Sequence, residues 1–192
     1  MQIVKFTADS DISFNHPTCL AIGNFDGIHK GHQQIISQVK SIAEAKSKAK
    51  ESNLKSAILT FEPHPIEFFK PDTKNYRITP ENLKVKMLED MGIDVLFIAN
   101  FDQQFSQISA QKFIEEILIN KLKAEHIFTG EDFIFGHNRG GNADILAEYS
   151  DRLGYKYQKV RLLKNSEEVK YSSSQIREAI SKGDVAKANQ FL

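Results

Sequence analysis

Two histidines lie three residues apart in a short segment that is rich in glycine. The segment reads Gly-Asn-Phe-Asp-Gly-Ile-His-Lys-Gly-His over residues 23–32, between an apolar run and a helical pattern. A helix N-terminus offers unpaired N–H donors and the positive end of the helix dipole. Gly31 has no Cβ, so an anion can approach the backbone closely. With this spacing His29 and His32 share one side of the first turn, and both imidazoles could donate hydrogen bonds to one phosphoryl group.

The segment differs from the two best-known phosphate loops. It lacks the Gly-Lys-Ser/Thr ending of the Walker A loop and the Gly-x-Gly-x-x-Gly spacing of the dinucleotide fingerprint. The two histidines could instead be metal ligands, but no third ligand lies near them in the sequence. In the simplest alternative, the glycines only turn the chain and the histidines are polar surface residues.

An aromatic block follows the second apolar run. Residues 61–69 read Phe-Glu-Pro-His-Pro-Ile-Glu-Phe-Phe. Pro63 and Pro65 restrict the backbone and remove two N–H donors, which predicts a stiff loop flanked by Phe61 and Phe69. A stiff aromatic wall suits a flat ring held by stacking. The alternative is a loop that packs into the core.

Two further blocks carry polar groups. In residues 128–142, Asp132 stands at a predicted strand end where a carboxylate could bond a nucleotide or flavin, and Phe135 could line a ring pocket. In residues 171–177, hydroxyls open a helix, where they usually only cap it. Ser173, Ser174 and Arg177 could nevertheless hold the β- and γ-phosphates of a triphosphate.

These blocks resemble the motifs of one enzyme family. The His-Lys-Gly-His sequence at 29–32 is similar to the His-x-Gly-His signature of the nucleotidyltransferases, α/β enzymes that transfer a nucleotidyl group and release pyrophosphate. Residues 23–32, 61–69 and 128–142 resemble the prokaryotic FAD synthetases in particular. Residues 171–177 resemble the second signature, Ser-Ser-Thr-x-Ile-Arg, with Ser174 where Thr is usual. The resemblance covers essentially the whole chain.

The resemblance implies transfer of AMP from ATP to FMN, which gives FAD and pyrophosphate, with Mg²⁺ carried mainly on the ATP phosphates. It implies no metal ligand from the protein. The catalytic residues it implies are His29, His32, Asp132, Ser173 and Arg177. The ATP site it implies is Gly23, Asn24, Phe25, Gly31, Ser173, Ser174 and Arg177, and the flavin site is Phe61, Pro63, His64, Pro65, Phe69, Asp132 and Phe135.

Two other functions stay open at this point. The chain could transfer a nucleotidyl group to another phosphorylated acceptor, such as phosphopantetheine or glycerol phosphate, although those acceptors have no large ring for the aromatic block. It could also be an inactive flavin- or nucleotide-binding module, although binding alone would not need both histidines. A nucleic-acid partner is disfavoured because 25 basic residues balance 25 acidic ones.

Alternating strands and helices are expected to position these residues. Strands are predicted at 18–23, 56–61, 94–99, 126–130 and 155–162, and helices at 32–50, 82–91, 109–122, 143–153, 174–181 and 184–191. This order predicts a Rossmann-like, doubly wound α/β fold with a five-stranded, mainly parallel sheet and helices on both faces. Ligands of such folds bind at the carboxyl ends of the strands, here the loops after Gly23, Phe61, Ala99, Gly130 and Leu162.

Length and composition set the outer limits. The 192 residues fit one domain, 1–192, and apolar (41%) and charged (26%) fractions are those of a globular protein. The single cysteine, Cys19, excludes an internal disulfide. No signal-peptide or membrane-spanning run is present, so we expect a cytoplasmic protein that binds small molecules. Relatives usually continue into a riboflavin kinase domain, and we expect that domain to be absent from this chain.

Overall fold

A parallel six-stranded sheet forms the centre of the computed structural model, which describes residues 1–49, 52–73, 76–161 and 170–192. The strand order in the sheet is β1-β4-β3-β2-β5-β8, and β6 and β7 form a separate antiparallel ribbon. The strands are β1 Gln2–Phe6, β2 Thr18–Ile22, β3 Lys55–Glu62, β4 Val95–Asn100, β5 Ala124–Gly130, β6 Ile134–Phe135, β7 Gly141–Asn142 and β8 Lys156–Val160.

Helices connect the strands of the sheet. They are α1 Lys30–Lys48, α2 Pro65–Phe69, α3 Glu81–Asp90, α4 Gln103–Ser106, α5 Ala110–Lys112, α6 Ala143–Leu153, α7 Ser173–Ser181 and α8 Val185–Phe191. Helix α5 continues as a π-helix over Phe113–Lys121, and a 3₁₀ turn covers His137–Arg139. Within the described ranges no helix is both long enough and apolar enough to cross a membrane.

The core has two layers, one on each face of the sheet. Alternate residues of the strands point to opposite faces. On one face Ala21 and Ile58 pack with Ile36 of α1 and Leu88 of α3. On the other face strand residues such as Leu20 and Leu59 pack with the π-helix and α6, whose buried residues include Phe113, Ile114, Ile117, Leu118 and Leu146. The predicted doubly wound α/β fold is confirmed.

The order of the strands places the glycine-rich segment at the switch point of the sheet. From β2 the chain proceeds through β3 to β4 on one side, and then crosses to β5 and β8 on the other. The loops that leave β2 and β5 therefore diverge, and a crevice opens at their carboxyl ends. The segment after β2 carries the two histidines, and the segment after β5 carries Asp132.

Several boundaries differ from the sequence prediction. The prediction of five strands was one short, because β1 at the sheet edge was missed. Its alternation of exposed and half-buried residues gives no apolar run, and only Phe6 is buried. The loop after the second predicted strand contains a short helix, α2, which begins at Pro65, the second proline of the block. Lys50 and the loop after Leu162 lie outside the described residues.

Leu59 tests how much the sheet core contributes to stability. Its side chain is fully buried in β3, whereas Leu83 on α3 is 46% exposed. We expect Leu59→Ala to lower the free energy of unfolding by about 2–5 kcal/mol, because a cavity remains in the packed layer. Leu83→Ala should change it by less than about 0.5 kcal/mol. Urea unfolding measures both, and equal losses would contradict the assigned core.

Candidate active site

His29 and His32 meet at the first turn of α1, on the carboxyl edge of the sheet. His29 is the N-cap residue, and its Nδ1 accepts a hydrogen bond from the backbone N–H of His32 at 3.3 Å. The two imidazole rings stack with 3.7 Å between their centroids and 18° between their planes. Because Nδ1 of His29 is an acceptor, the proton of the neutral ring resides on Nε2. His29 can therefore donate a hydrogen bond from that atom.

The backbone around the histidines is shaped by close packing. A Cβ on Gly31 would lie 3.2 Å from two atoms of the His29 ring, so any other residue here would have to displace that ring by a few tenths of an ångström. Phe25 and Ile28 have positive φ angles of 47° and 42°, and both side chains are buried. Their burial stabilises a backbone conformation that is unfavourable by itself. The Phe25 ring lies 5.0 Å from that of His32, so it supports the histidine from the protein interior.

Burial keeps both histidines neutral. It lowers the pKa of His29 to about 4, against the opposing effects of its backbone hydrogen bond and of Asp26. Burial also holds the pKa of His32 well below its usual range, and repulsion from His29, when that ring is protonated, and from Lys84 acts in the same direction. The Nδ1 atom of His32 is buried without a hydrogen-bond partner among the described residues. Buried polar atoms are rarely left unpaired, so this atom marks a site that a ligand would complete.

Asp26, which no motif spacing singles out, connects three segments of the site. Its carboxylate is 1% exposed and accepts hydrogen bonds from the backbone N–H groups of Ile78 at 3.0 Å and Thr79 at 2.8 Å. Nη2 of Arg177 lies 2.5 Å from its Oδ2. Its backbone carbonyl accepts a hydrogen bond from the Ser173 hydroxyl at 2.7 Å. In the sequence, only the presence of a carboxylate inside the glycine-rich segment could have indicated this role of Asp26.

Arg177 is held by three contacts. Besides the ion pair with Asp26, its Nε donates to the carbonyl of Tyr76 at 2.7 Å, and the guanidinium lies 3.8 Å from the centre of the Tyr76 ring. Nη1 has no hydrogen-bond partner in the described part of the chain. Ser172 caps α7 and Ser174 is exposed. The structure thus brings Arg177 and Ser173 to the glycine-rich segment, with the Ser173 hydroxyl already in use.

The residues predicted to bind flavin differ widely in exposure. Phe61 is buried against Phe101 and Phe105, with 6.0 Å between ring centroids in each pair, so its ring packs into the core in this structure. Phe69 is 63% exposed and meets Phe101 edge to face at 5.8 Å. Pro63 is exposed and Pro65 begins α2. Phe101, which follows β4, was missed because a single phenylalanine gives no motif.

His64 is a structural residue in this arrangement. It is buried, its Nδ1 accepts the backbone N–H of Ile66 at 3.1 Å, and it caps α2. Burial lowers the pKa of His64 to about 4. The ring contacts Tyr76 at 5.0 Å between centroids, which connects the aromatic block to the residue that stacks on Arg177.

The block after β5 is partly core and partly surface. Phe135 is buried in the core, 5.2 Å from the ring of Phe113 and stacked on Phe133 at 5.5 Å. Its face is therefore covered by other rings in this structure. Asp132 is exposed, and a Cβ on Gly130 would lie 3.1 Å from its Oδ1. This carboxylate stands at the end of β5, the strand next to β2.

A buried lysine that the sequence analysis did not identify lies behind the glycine-rich segment. The Nζ of Lys84 donates to the carbonyl of Asn24 at 2.9 Å, and it is also bonded to Thr60 and Glu62. Gly27 donates its N–H to the Thr79 hydroxyl at 2.9 Å. The stretch 76–84 therefore contacts every block of the site except the one after β5. Most of these contacts are made by its backbone groups and by buried side chains.

Comparison with known proteins identifies the family. The family model described as FAD synthetase matches residues 11–175. Two relatives named bifunctional riboflavin kinase/FMN adenylyltransferase, from Buchnera aphidicola subsp. Acyrthosiphon pisum and from Escherichia coli K12, are 37% and 30% identical over 93% and 90% of this chain. The matches cover 55% and 53% of those relatives, so the chain spans about half of their length.

Solved structures agree in fold. A crystal structure described as a macrolide-efflux protein from Streptococcus pneumoniae superposes with a TM-score of 0.81 at 25% identity, covering 100% of this chain and 61% of that one. A pantoate-beta-alanine ligase from Francisella tularensis gives a TM-score of 0.51 at 14% identity, covering 94% and 71%, which is a likeness of fold alone. Because the family model matches most of this chain, residues 11–175, the chain belongs to the FAD synthetase family.

Proposed function

We propose that this chain transfers AMP from ATP to FMN and releases pyrophosphate, in a reducing cytoplasm. The observation that carries the proposal is the stacked pair of neutral histidines at the N-terminus of α1. The pair lies at the switch point of the sheet, in a chain that belongs to the FAD synthetase family. A phosphate oxygen of FMN attacks the α-phosphorus of ATP, a new P–O bond forms, and the bond to the pyrophosphate oxygen breaks. The FMN phosphate is already an anion, so no strong general base is required.

Catalysis in this proposal comes from position and charge. His29 and His32 donate hydrogen bonds to the α-phosphoryl oxygens as negative charge shifts in the transition state. Arg177 meets the leaving pyrophosphate through Nη1, which has no hydrogen-bond partner among the described residues, while its other nitrogens keep the contacts to Asp26 and Tyr76. Ser173 and Ser174 contribute the backbone N–H groups of the first turn of α7, because the Ser173 hydroxyl is engaged.

In this proposal the two substrates contact different segments of the site. Gly23, Asn24 and the backbone of Phe25 adjoin the adenine, while the buried Phe25 ring supports His32 from the interior. Gly31 leaves space for the phosphates. For flavin, the exposed face of Phe69 is the best-placed ring, with Pro63 and Pro65 beside it. Asp132 bonds a polar group of the flavin. Three further residues are buried, so in this proposal they support the residues that contact the flavin: Phe61, His64 and Phe135.

Magnesium enters this proposal with the nucleotide. Within the described residues no group of three or more His, Cys, Asp or Glu side chains could hold a metal ion. The carboxylate of Asp26, in the segment that carries the histidines, already forms an ion pair with Arg177. Mg²⁺ bound to the ATP phosphates would offset their charge during transfer.

The direct test supplies the purified chain with FMN, ATP and Mg²⁺ and measures FAD and pyrophosphate. We expect both products in equal amounts. Parallel reactions replace FMN with riboflavin, phosphopantetheine or glycerol 3-phosphate, and replace ATP with CTP. Riboflavin should yield no FMN. Pyrophosphate released only with another acceptor would favour that acceptor, and FMN binding without any pyrophosphate would indicate a binding module.

His32→Ala tests the role of the histidine pair. We expect kcat to fall by about 10²–10³-fold, the usual effect of losing one transition-state donor. The dissociation constant of FMN should change by less than about 3-fold, since a group that acts mainly in the transition state contributes little to ground-state binding. His16→Ala is the matched control, because His16 lies before β2 at the opposite edge of the sheet. Equal losses of turnover and FMN affinity would contradict this role.

The neutral state of His29 also predicts how stability depends on pH. Its pKa is about 4 when folded and about 6.5 when unfolded, so the unfolded chain binds the proton more tightly. The contribution of His29 to the free energy of unfolding is therefore fully present above pH 6.5. It declines as the pH falls toward 4, by at most about 1.4 kcal/mol per pH unit for one histidine. Urea unfolding between pH 7 and 5 should show a smaller decline for His29→Gln than for the native protein. Identical declines would show that His29 is not buried in its neutral form.

A further inference from the structure

A charge network connects the two halves of the proposed site. Lys84 is 3% exposed, and its Nζ donates to the carbonyl of Asn24 at 2.9 Å, to Thr60 Oγ1 at 3.2 Å and to Glu62 Oε1 at 3.3 Å. An ammonium group has three donor protons, and each has an acceptor here. The Asn24 carbonyl belongs to the glycine-rich segment, and Glu62 belongs to the aromatic block.

The network continues into the aromatic block. The second oxygen of Glu62 lies 2.7 Å from Nη1 of Arg77, and Nη2 of Arg77 lies 2.6 Å from Oε2 of Glu67. The same oxygen of Glu67 accepts the backbone N–H of His64 at 3.3 Å. Charges alternate along this path, and each member is at least half-buried, so a shift of one end must displace the next group or leave a charge without its partner.

Packing alone does not require a charge at position 84. The methylene stem of a lysine can be replaced by the similar chain of methionine, although the Asn24 carbonyl and the Thr60 hydroxyl would then lose their donor. Glu62 would keep Arg77 as its partner. What methionine could not supply is the simultaneous bond to the Asn24 carbonyl and to Glu62, across the ends of the neighbouring strands β2 and β3.

We propose that Lys84 is a positioning residue that holds the ATP-binding segment 23–29 and the FMN-binding block 61–69 in register, so that each substrate tightens the binding of the other. This inference rests on the proposed function, because it assigns one substrate to each segment. Lys84 itself contacts neither substrate in this scheme. Its effect passes through the Asn24 carbonyl on one side and through Glu62 on the other.

The test compares Lys84→Met with Lys86→Met. Lys86 is exposed on the same helix, α3, so it controls for the change of residue type. FMN affinity is measured by flavin fluorescence with and without α,β-methylene-ATP and Mg²⁺. We expect the native chain and Lys86→Met to bind FMN about 5–150-fold more tightly with the analogue, the usual range of coupling between sites. Lys84→Met should retain less than a 2-fold difference and lose at least 10-fold in kcat.

Glu62→Gln provides a second measurement in case Lys84→Met folds poorly. It keeps the shape of the side chain and removes the charge, so we expect a weaker coupling between the two ligands. Because the buried Lys84 loses its opposite charge, the thermal midpoint should also fall, and the coupling is measured well below that midpoint. In the double variant the coupling should fall no further than in Lys84→Met alone, because both residues belong to one path.

The outcomes separate this inference from the proposed function. Native-like coupling and turnover in Lys84→Met would overturn the positioning role and leave the proposed function intact. Coupling in the native chain that Lys84→Met abolishes would support the role even if no FAD formed, and the absence of FAD would then contradict only the proposed function. A native chain with no coupling at all would overturn the role directly.

Discussion

The buried carboxylate of Asp26 is the constraint on which the site depends. A carboxylate removed from water is stabilised only when hydrogen bonds and an opposite charge replace its hydration. Here two backbone N–H groups from 78–79 and the guanidinium of Arg177 provide that replacement. The glycine-rich segment, the stretch before α3 and the N-terminal turn of α7 must therefore come together. Residues separated by about 150 positions in the chain meet because one charge cannot remain buried alone.

The site combines two neutral hydrogen-bond donors, the histidines, with one cation, the arginine. Burial makes the histidines neutral donors, whereas Arg177 is a cation whose carboxylate partner is Asp26. The chain as a whole has no net charge, so attraction for a polyphosphate has to come from such local donors. Two helix N-termini, those of α1 and α7, add their unpaired N–H groups at the same crevice.

The sequence allowed the prediction of those features that depend on local pattern. The sheet strands other than β1, the capping serines and the spacing of His29 and His32 all follow from neighbours in the chain. The stretch 76–84 could not be predicted in this way. Its groups work by contacts across the fold: Thr79 with Gly27, and Lys84 with Asn24 and Glu62. A lysine in a helical pattern is usually exposed, so the burial of Lys84 needed the three-dimensional arrangement of its acceptors.

In the proposed reaction, the ion pair of Arg177 with Asp26 prepares the arginine for a phosphate. A free arginine side chain loses about 2 kcal/mol of rotamer entropy when it is fixed, and a ligand that has to order it binds more weakly by that amount. Here the carbonyl and ring of Tyr76 and the carboxylate of Asp26 already fix the guanidinium. Nη1 is left to donate. Because Asp26 is itself anchored to the segment that carries His29, an arginine fixed in this way is also fixed relative to the histidine pair, which is the alignment that in-line transfer requires.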